Sequence, residues 1–154
     1  MRRLLPICLA VVVLGGSPDR TAAQSKDPVK DTIPLLKDDN TEVRRGAAYT
    51  LKFLEGHEAA IPDLILALKD QDAIVRDYAI EALVLMYPRD VVPPLAKALK
   101  DAHPTIRRKA AEALGRVRNF TEAALPDLIL LLKDGNPEVR RSAAKALKNI
   151  QGGP

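Results

Sequence analysis

The phrase LKDGNPEVRRSAAKAL, residues 132–147, occurs three more times in variant form: LKDDNTEVRRGAAYTL from Leu36, LKDQDAIVRDYAIEAL from Leu68 and LKDAHPTIRRKAAEAL from Leu99. The equivalent lysines are Lys37, Lys69, Lys100 and Lys133, in steps of 32, 31 and 33 residues. A period in that range marks a stacked array of supersecondary units, none of which buries its apolar face alone. Within the phrase the apolar positions recur identically, as Val43, Ala47, Leu51, Leu54; Val75, Ala79, Leu83, Met86; Ile106, Ala110, Leu114, Val117; and Val139, Ala143, Leu147, Ile150. Spacings of four, four and three residues place them on one helical stripe. Asn40, Asp72, His103 and Asn136 stand where this second helix begins, and Pro104 and Pro137 follow at its first position, where a missing amide hydrogen costs nothing.

Upstream of each turn lies another amphipathic segment, Ile61, Leu64, Ile65, Leu68 in one copy and Leu125, Leu128, Ile129, Leu132 in another. Pro62, Pro94 and Pro126 fall near its start, which the first turn of a helix tolerates. Each unit therefore reads as two antiparallel helices, A and B, joined by KDDN, KDQD, KDAH or KDGN. The first copy departs from the pattern: Pro34 stands where Leu66 does, in the middle of helix A, so that helix is expected to be stunted.

Proline, leucines at helical spacing, LKD, then VR or IR, then A and AL: this pattern resembles the HEAT repeat, in the short bacterial form of the phycobilin lyase type. The resemblance covers about residues 29–151 and implies an all-α fold, an α-solenoid of about four antiparallel helix pairs with a truncated first repeat. Repeats are expected at about 29–56, 57–88, 89–120 and 121–151 of a domain spanning 24–154. It also implies a structural ladder linking neighbouring repeats, on Asp38 and Arg44, Asp70 and Arg76, Asp101 and Arg107, and Asp134 and Arg140. An aspartate just before helix B faces the positive end of the helix dipole as well, so these residues are framework.

With the apolar stripe inward, the opposite face of helix B carries Arg45, Tyr49, Lys52; Asp77, Glu81, Val84; Arg108, Glu112, Gly115; and Arg141, Lys145, Lys148. By resemblance helix B lines the concave side of the superhelix, which makes this row, varying from copy to copy, the candidate partner-binding surface. Arginine leads the row in three of the four repeats and suits bidentate recognition of carboxylate or phosphate. In the second repeat Ile80, Val84, Leu85, Met86 and Tyr87 surround the helix, and Val84 is expected to point outward as the start of an apolar contact patch.

The first 23 residues are of another kind. Met1-Arg2-Arg3, an apolar run from Leu4 to Leu14 and the small residues Thr21-Ala22-Ala23 have the three-part layout of a secretory signal peptide. The run is shorter than the roughly 20 residues a membrane-spanning helix requires. Export to the periplasm or cell exterior, with cleavage after Ala23, is the expectation. Cleavage removes Arg2, Arg3, Arg20 and Asp19, lowering the net charge from +4 to +2, and takes with it Cys8, the chain's one cysteine. A nearly neutral chain that is only 3% aromatic has neither the charge nor the stacking platforms nucleic acid needs.

Catalytic patterns are poor, with no glycine-rich phosphate loop and no cysteine nucleophile after the leader. His57-Glu58 is similar to the His-Glu pairs of deoxyhypusine hydroxylase, a HEAT enzyme with a di-iron site, but that enzyme uses several pairs and this chain has one; His103 reads as a helix cap. No catalytic residues, metal ligands or cofactors are expected. The favoured reading is a non-enzymatic scaffold or adaptor for a protein or peptide. An enzyme or enzyme-assisting protein of the phycobilin lyase or deoxyhypusine hydroxylase-like group is the alternative, and a DNA-binding HEAT-like module is the second. The open ends of the array also leave room for weak self-association.

Overall fold

A computed structural model describes residues 27–54, 57–86, 91–117 and 122–151. The leader and Tyr87 lie outside these residues. Among the described residues eight α-helices follow one another: α1 Pro28–Thr32, α2 Thr41–Leu51, α3 Ile61–Ala67, α4 Ala73–Met86, α5 Val92–Ala98, α6 Pro104–Val117, α7 Leu125–Leu131 and α8 Pro137–Gln151. Each odd helix packs against the even helix that follows it, and α2, α4, α6 and α8 stack side by side. This is an α-solenoid of four antiparallel pairs, the first of them truncated.

Local chemistry sets the boundaries. Asn40, Asp72 and Asn136 accept the amides of Glu42 at 2.9 Å, Ile74 at 3.0 Å and Glu138 at 2.9 Å, capping α2, α4 and α8 with side-chain oxygens. At the fourth such turn the His103 amide donates to Asp101 Oδ1 at 2.8 Å. All four odd helices carry proline in the first turn; α1 is capped by Asp27, whose side chain accepts the amides of Val29 and Lys30, while α3, α5 and α7 have no side-chain cap. Pro34 truncates the first pair in a specific way: α1 ends after five residues, and Ile33–Lys37 continues as a tighter 3-10 turn with Pro34 in its opening positions. A proline amide has no hydrogen to give the carbonyl four residues back, and a new element that starts with Pro34 in its opening positions needs no hydrogen bond from it. Leu36 and Val29 remain buried, so the shortened element still contributes to the core.

The core is aliphatic. Leu64, Leu95 and Leu128 from the odd helices meet Leu51, Leu83 and Leu114 from the even ones, all fully buried. Each such side chain contributes roughly 1.5–3 kcal/mol on transfer from water. Ala47, Ala79, Ala110 and Ala143 occupy one position of successive even helices and let the backbones approach. At Gly115 a Cβ would lie 2.8 Å from Ala146 Cα, so the backbones of α6 and α8 come close together there.

Candidate functional site

The turns carry a repeating polar unit. Arg44 Nε donates to Asp70 Oδ2 at 2.8 Å and Nη2 to Oδ1 at 3.2 Å. Arg76 Nη2 reaches Asp101 Oδ1 at 2.9 Å, and Arg107 grips Asp134 with Nε at 2.7 Å and Nη2 at 2.9 Å. The remaining Nη1 of each arginine donates to carbonyls of its own turn, such as Asp38 O for Arg44 at 2.8 Å. Asp38, Asp70, Asp101 and Asp134 in turn each accept, at 2.8 Å, the amide two residues ahead. Every internal arginine thus ties its own turn to the next repeat's. The Arg107 guanidinium holds the Asp134 carboxyl below its ordinary range, and Arg107 is itself raised.

A second cross-repeat contact runs from a lysine at or just after the end of the first element of one pair to the next odd helix, and has a signal in the sequence, the PD of IPDLI and LPDLI. Lys37 pairs with Asp63 at 2.7 Å and Lys100 with Asp127 at 3.0 Å. Pro94 stands at the corresponding position of α5, which breaks the series there.

On the even helices most of the row opposite the core stripe is already engaged. Arg45 donates to both oxygens of Asp72, at 2.9 and 2.6 Å, and to Glu42 at 2.6 Å. This fork holds Asp72 well below the usual carboxylate range. Lys52 on α2 reaches Glu81 on α4 at 2.8 Å; Lys109 on α6 contacts the same Glu81 and lies 3.2 Å from Asp77. Burial pushes Glu81 up and Lys109 down, but the hydrogen bonds and opposite charges prevail, so Glu81 ends below and Lys109 above its ordinary value. Arg108 pairs with Glu112 at 2.7 Å, and the Ser142 hydroxyl donates to the same carboxylate at 3.0 Å. Arg141 is 76% exposed and, among the described residues, meets only its helix neighbour Glu138, while Lys145 and Lys148 are exposed.

Two residues of the row face elsewhere than expected. Val84 is only 4% exposed and lies in the floor of a groove. A helical wheel with one buried stripe places it outside, but α4 is flanked by α2 and α6 as well as covered by α3. Leu85, the next residue, is 51% exposed and supplies the apolar surface instead. Gly115 is buried against Ala146, where it serves helix packing and offers nothing to a partner.

The groove, about 200 Å³, runs between α4 and α6 with Lys52 and Glu81 at one side and Glu112 and Arg116 at the other. A neighbouring depression of about 280 Å³ between α6 and α8 shares Glu112 and Arg116 and continues to Lys145 and Asn149. At the α2 end sits an aromatic group that the sequence reading took up only through Tyr49. Tyr49 packs edge-on to Phe53, centroids 5.0 Å apart, and to Tyr78 at 5.2 Å, with Lys52 Nζ 4.9 Å from the Phe53 ring centre. Tyr49 is 47% and Phe53 62% exposed. The i, i+4 spacing of Tyr49 and Phe53 was a readable signal; their meeting with Tyr78 across two helices was not.

His57 and Glu58 open the short 3-10 turn His57–Ala60. Among the described residues no three His, Cys, Asp or Glu side chains are placed to hold a metal ion, so the residues present do not fit a di-iron centre of the hydroxylase kind.

The repeat period, the paired helices and the turn ladder converge with the sequence comparison, which matches HEAT repeats over residues 8–83 and 61–148. The chain belongs to the HEAT-repeat family. No curated protein matches the sequence. Among solved structures this HEAT protein is similar to a designed armadillo repeat protein in complex with the peptide (KR)4, with 22% identity, a TM-score of 0.70, and coverage of 80% of this chain and 64% of that one. It is similar to human deoxyhypusine hydroxylase at 28% identity and a TM-score of 0.67, over 85% of this chain and 46% of that one. It also resembles the complex of CpcE and CpcF of phycocyanin lyase from Nostoc sp. PCC7120, at 19% identity and a TM-score of 0.59, over 91% and 71%. The chain thus spans less than two thirds of the designed protein and of the hydroxylase, and no helix among the described residues is long and apolar enough to cross a membrane.

Proposed function

We propose that this HEAT protein is a non-enzymatic scaffold that docks a segment of a partner protein along the exposed face of α2, α4, α6 and α8. The observation that carries the reading is the aromatic pair Tyr49 and Phe53, both about half exposed or more in a chain with only five aromatic residues. Rigid, half-desolvated aromatic rings are the residues on which interface energy concentrates. The groove begins at Lys52, beside the Phe53 ring, and passes Leu85 to Arg116, from which the neighbouring depression continues to Lys145, so the face offers an apolar anchor near one end and cations at the other. A partner segment with an apolar anchor followed by acidic residues fits that order. The Arg45, Asp77, Glu81, Arg108 and Glu112 side chains act here as a rigid frame, since each is held by a neighbouring residue. The similar designed armadillo repeat protein is in complex with a peptide, which supports a peptide-binding role for a fold of this kind. The leader motif supports export to the periplasm or cell exterior, where a partner would then be sought.

The test is affinity capture from envelope extracts with the wild-type protein beside a Tyr49→Ala/Phe53→Ala variant and an Arg116→Glu/Lys145→Glu variant, all with matching helical circular dichroism. A protein retained by wild type and lost by both variants is the expected result. Equal retention by all three refutes the assigned face.

A further inference from the structure

Every internal repeat hands one face to its successor, and among the described residues the same face of the fourth repeat is uncovered. Ala48, Ile80 and Ala111 hold one position of α2, α4 and α6 and are at most 1% exposed, whereas Ala144, the same position of α8, is exposed. Leu36, Leu68 and Leu99 are buried, but their equivalent Leu132 is 40% exposed and lines an open groove of about 560 Å³ with Ala144 and Leu147. The polar contacts stop at the same place. Arg140 donates to the carbonyls of Asp134 and Gly135 in its own turn and, among the described residues, meets no carboxylate. Lys133, the equivalent of Lys37 and Lys100, has no ion pair among them either.

The opposite end carries the missing halves. Among the described residues the ladder carboxylate of Asp38 meets no arginine of a preceding repeat and accepts only the Asn40 amide. Asp31 stands one period before Asp63, at the position that receives a lysine elsewhere, and is exposed. Leu35 is 42% exposed where its equivalents Ala67, Ala98 and Leu131 are buried.

We propose that the C-terminal face of one chain receives the N-terminal face of a second copy, with Arg140 on Asp38 and Lys133 on Asp31, in the register of the internal repeats. Two cations at one end and two carboxylates at the other occupy the positions at which successive repeats already pair, and both faces leave uncovered the apolar residues that the internal repeats bury. The contact is heterologous, so it propagates as a short open stack and does not close as a two-fold dimer.

Sedimentation velocity on the purified full chain from about 10 µM to about 1 mM covers the range of weak interfaces. The weight-average mass is expected to rise with concentration and to fall back at high salt, which screens ion pairs. Arg140→Asp and Asp38→Arg, each alone, set like charges against each other and should weaken association at least about tenfold. An equimolar mixture of the two restores it, because each variant's altered end faces its complement on the other. Ala144→Glu touches no bond within the chain and should also give a monomer, which guards against a folding defect in either charge variant. A wild type that stays monomeric throughout, association indifferent to the reversals, or well-folded charge variants that fail to rescue each other would each overturn the proposal.

Discussion

Glycine to alanine at two helical positions should act with opposite sign. Gly46, on α2, has nothing within 4 Å of the place its Cβ would take, so Gly46→Ala adds only helix propensity, about 1 kcal/mol of stabilisation. Gly115→Ala brings the same gain, but its Cβ would fall 2.8 Å from Ala146 Cα and 3.0 Å from Ala146 Cβ. Carbon atoms rest at roughly 3.5–4.0 Å, so α8 must retreat by nearly 1 Å along its packed length. Overpacking of that kind costs about 1–3 kcal/mol. The helix term cancels between the two variants, and their difference, about 1–3 kcal/mol in favour of Gly46→Ala, isolates the packing cost. Urea unfolding followed by circular dichroism measures it. Hydrogen exchange locates it, because in a linear array a strained α6–α8 contact loosens the terminal helix first. If Gly115→Ala proves as stabilising as Gly46→Ala, the close approach of α6 to α8 is wrong.

Acid should destabilise the protein through its paired carboxylates. Asp72 and Asp134 are held below 3.8 and Glu81 below 4.5, so their contributions are complete above about pH 4.5 and are lost as pH falls toward the lowered folded values. Lys109, raised from 10.5, contributes fully below that pH and loses its contribution above it. Tm is therefore expected to be flat between about pH 5 and 10 and to fall on both sides; a maximum near pH 3 contradicts the assignment. Asn136→Ala removes the cap that accepts Glu138 N at 2.9 Å and Val139 N at 3.3 Å, and should cost about 1 kcal/mol by denaturant titration. Lys109→Met leaves Glu81 with Lys52 alone and in view of Asp77, so the Glu81 carboxyl, followed by NMR, should titrate at higher pH than in the wild type. An unmoved titration means that Lys109 does not set it.

Much of the architecture was legible because the repeat writes the same physics four times. The caps Asn40, Asp72 and Asn136, the stripe from Val75 to Leu83 and the arginines after each turn need only local spacing to be read, since a helix fixes which residues share a face. Pro34 was readable as a fault in the first pair, though not as the 3-10 turn that accommodates it. The exposed face was less legible. A wheel drawn on one helix treats everything off the stripe as solvent-facing, and that misplaced Val84 and Gly115, which a neighbouring helix covers. It also left Arg45, Asp77, Glu81 and Glu112 as free surface charges, when each is held by an ionic or hydrogen-bonding partner.

What the chain determines by itself is therefore the unit: its length, its two helices, its caps and its inward stripe, all of which depend on residues within one turn of each other. The tertiary structure alone decides what the units do to one another. Arg44 finds the carboxylate of Asp70 while meeting Asp38 through its backbone carbonyl, Tyr49 finds Tyr78, and Arg140 is left facing no carboxylate among the described residues. Those outcomes depend on how far apart and at what angle successive repeats stack, and side chains some 25 to 30 residues distant meet only after that stacking is set.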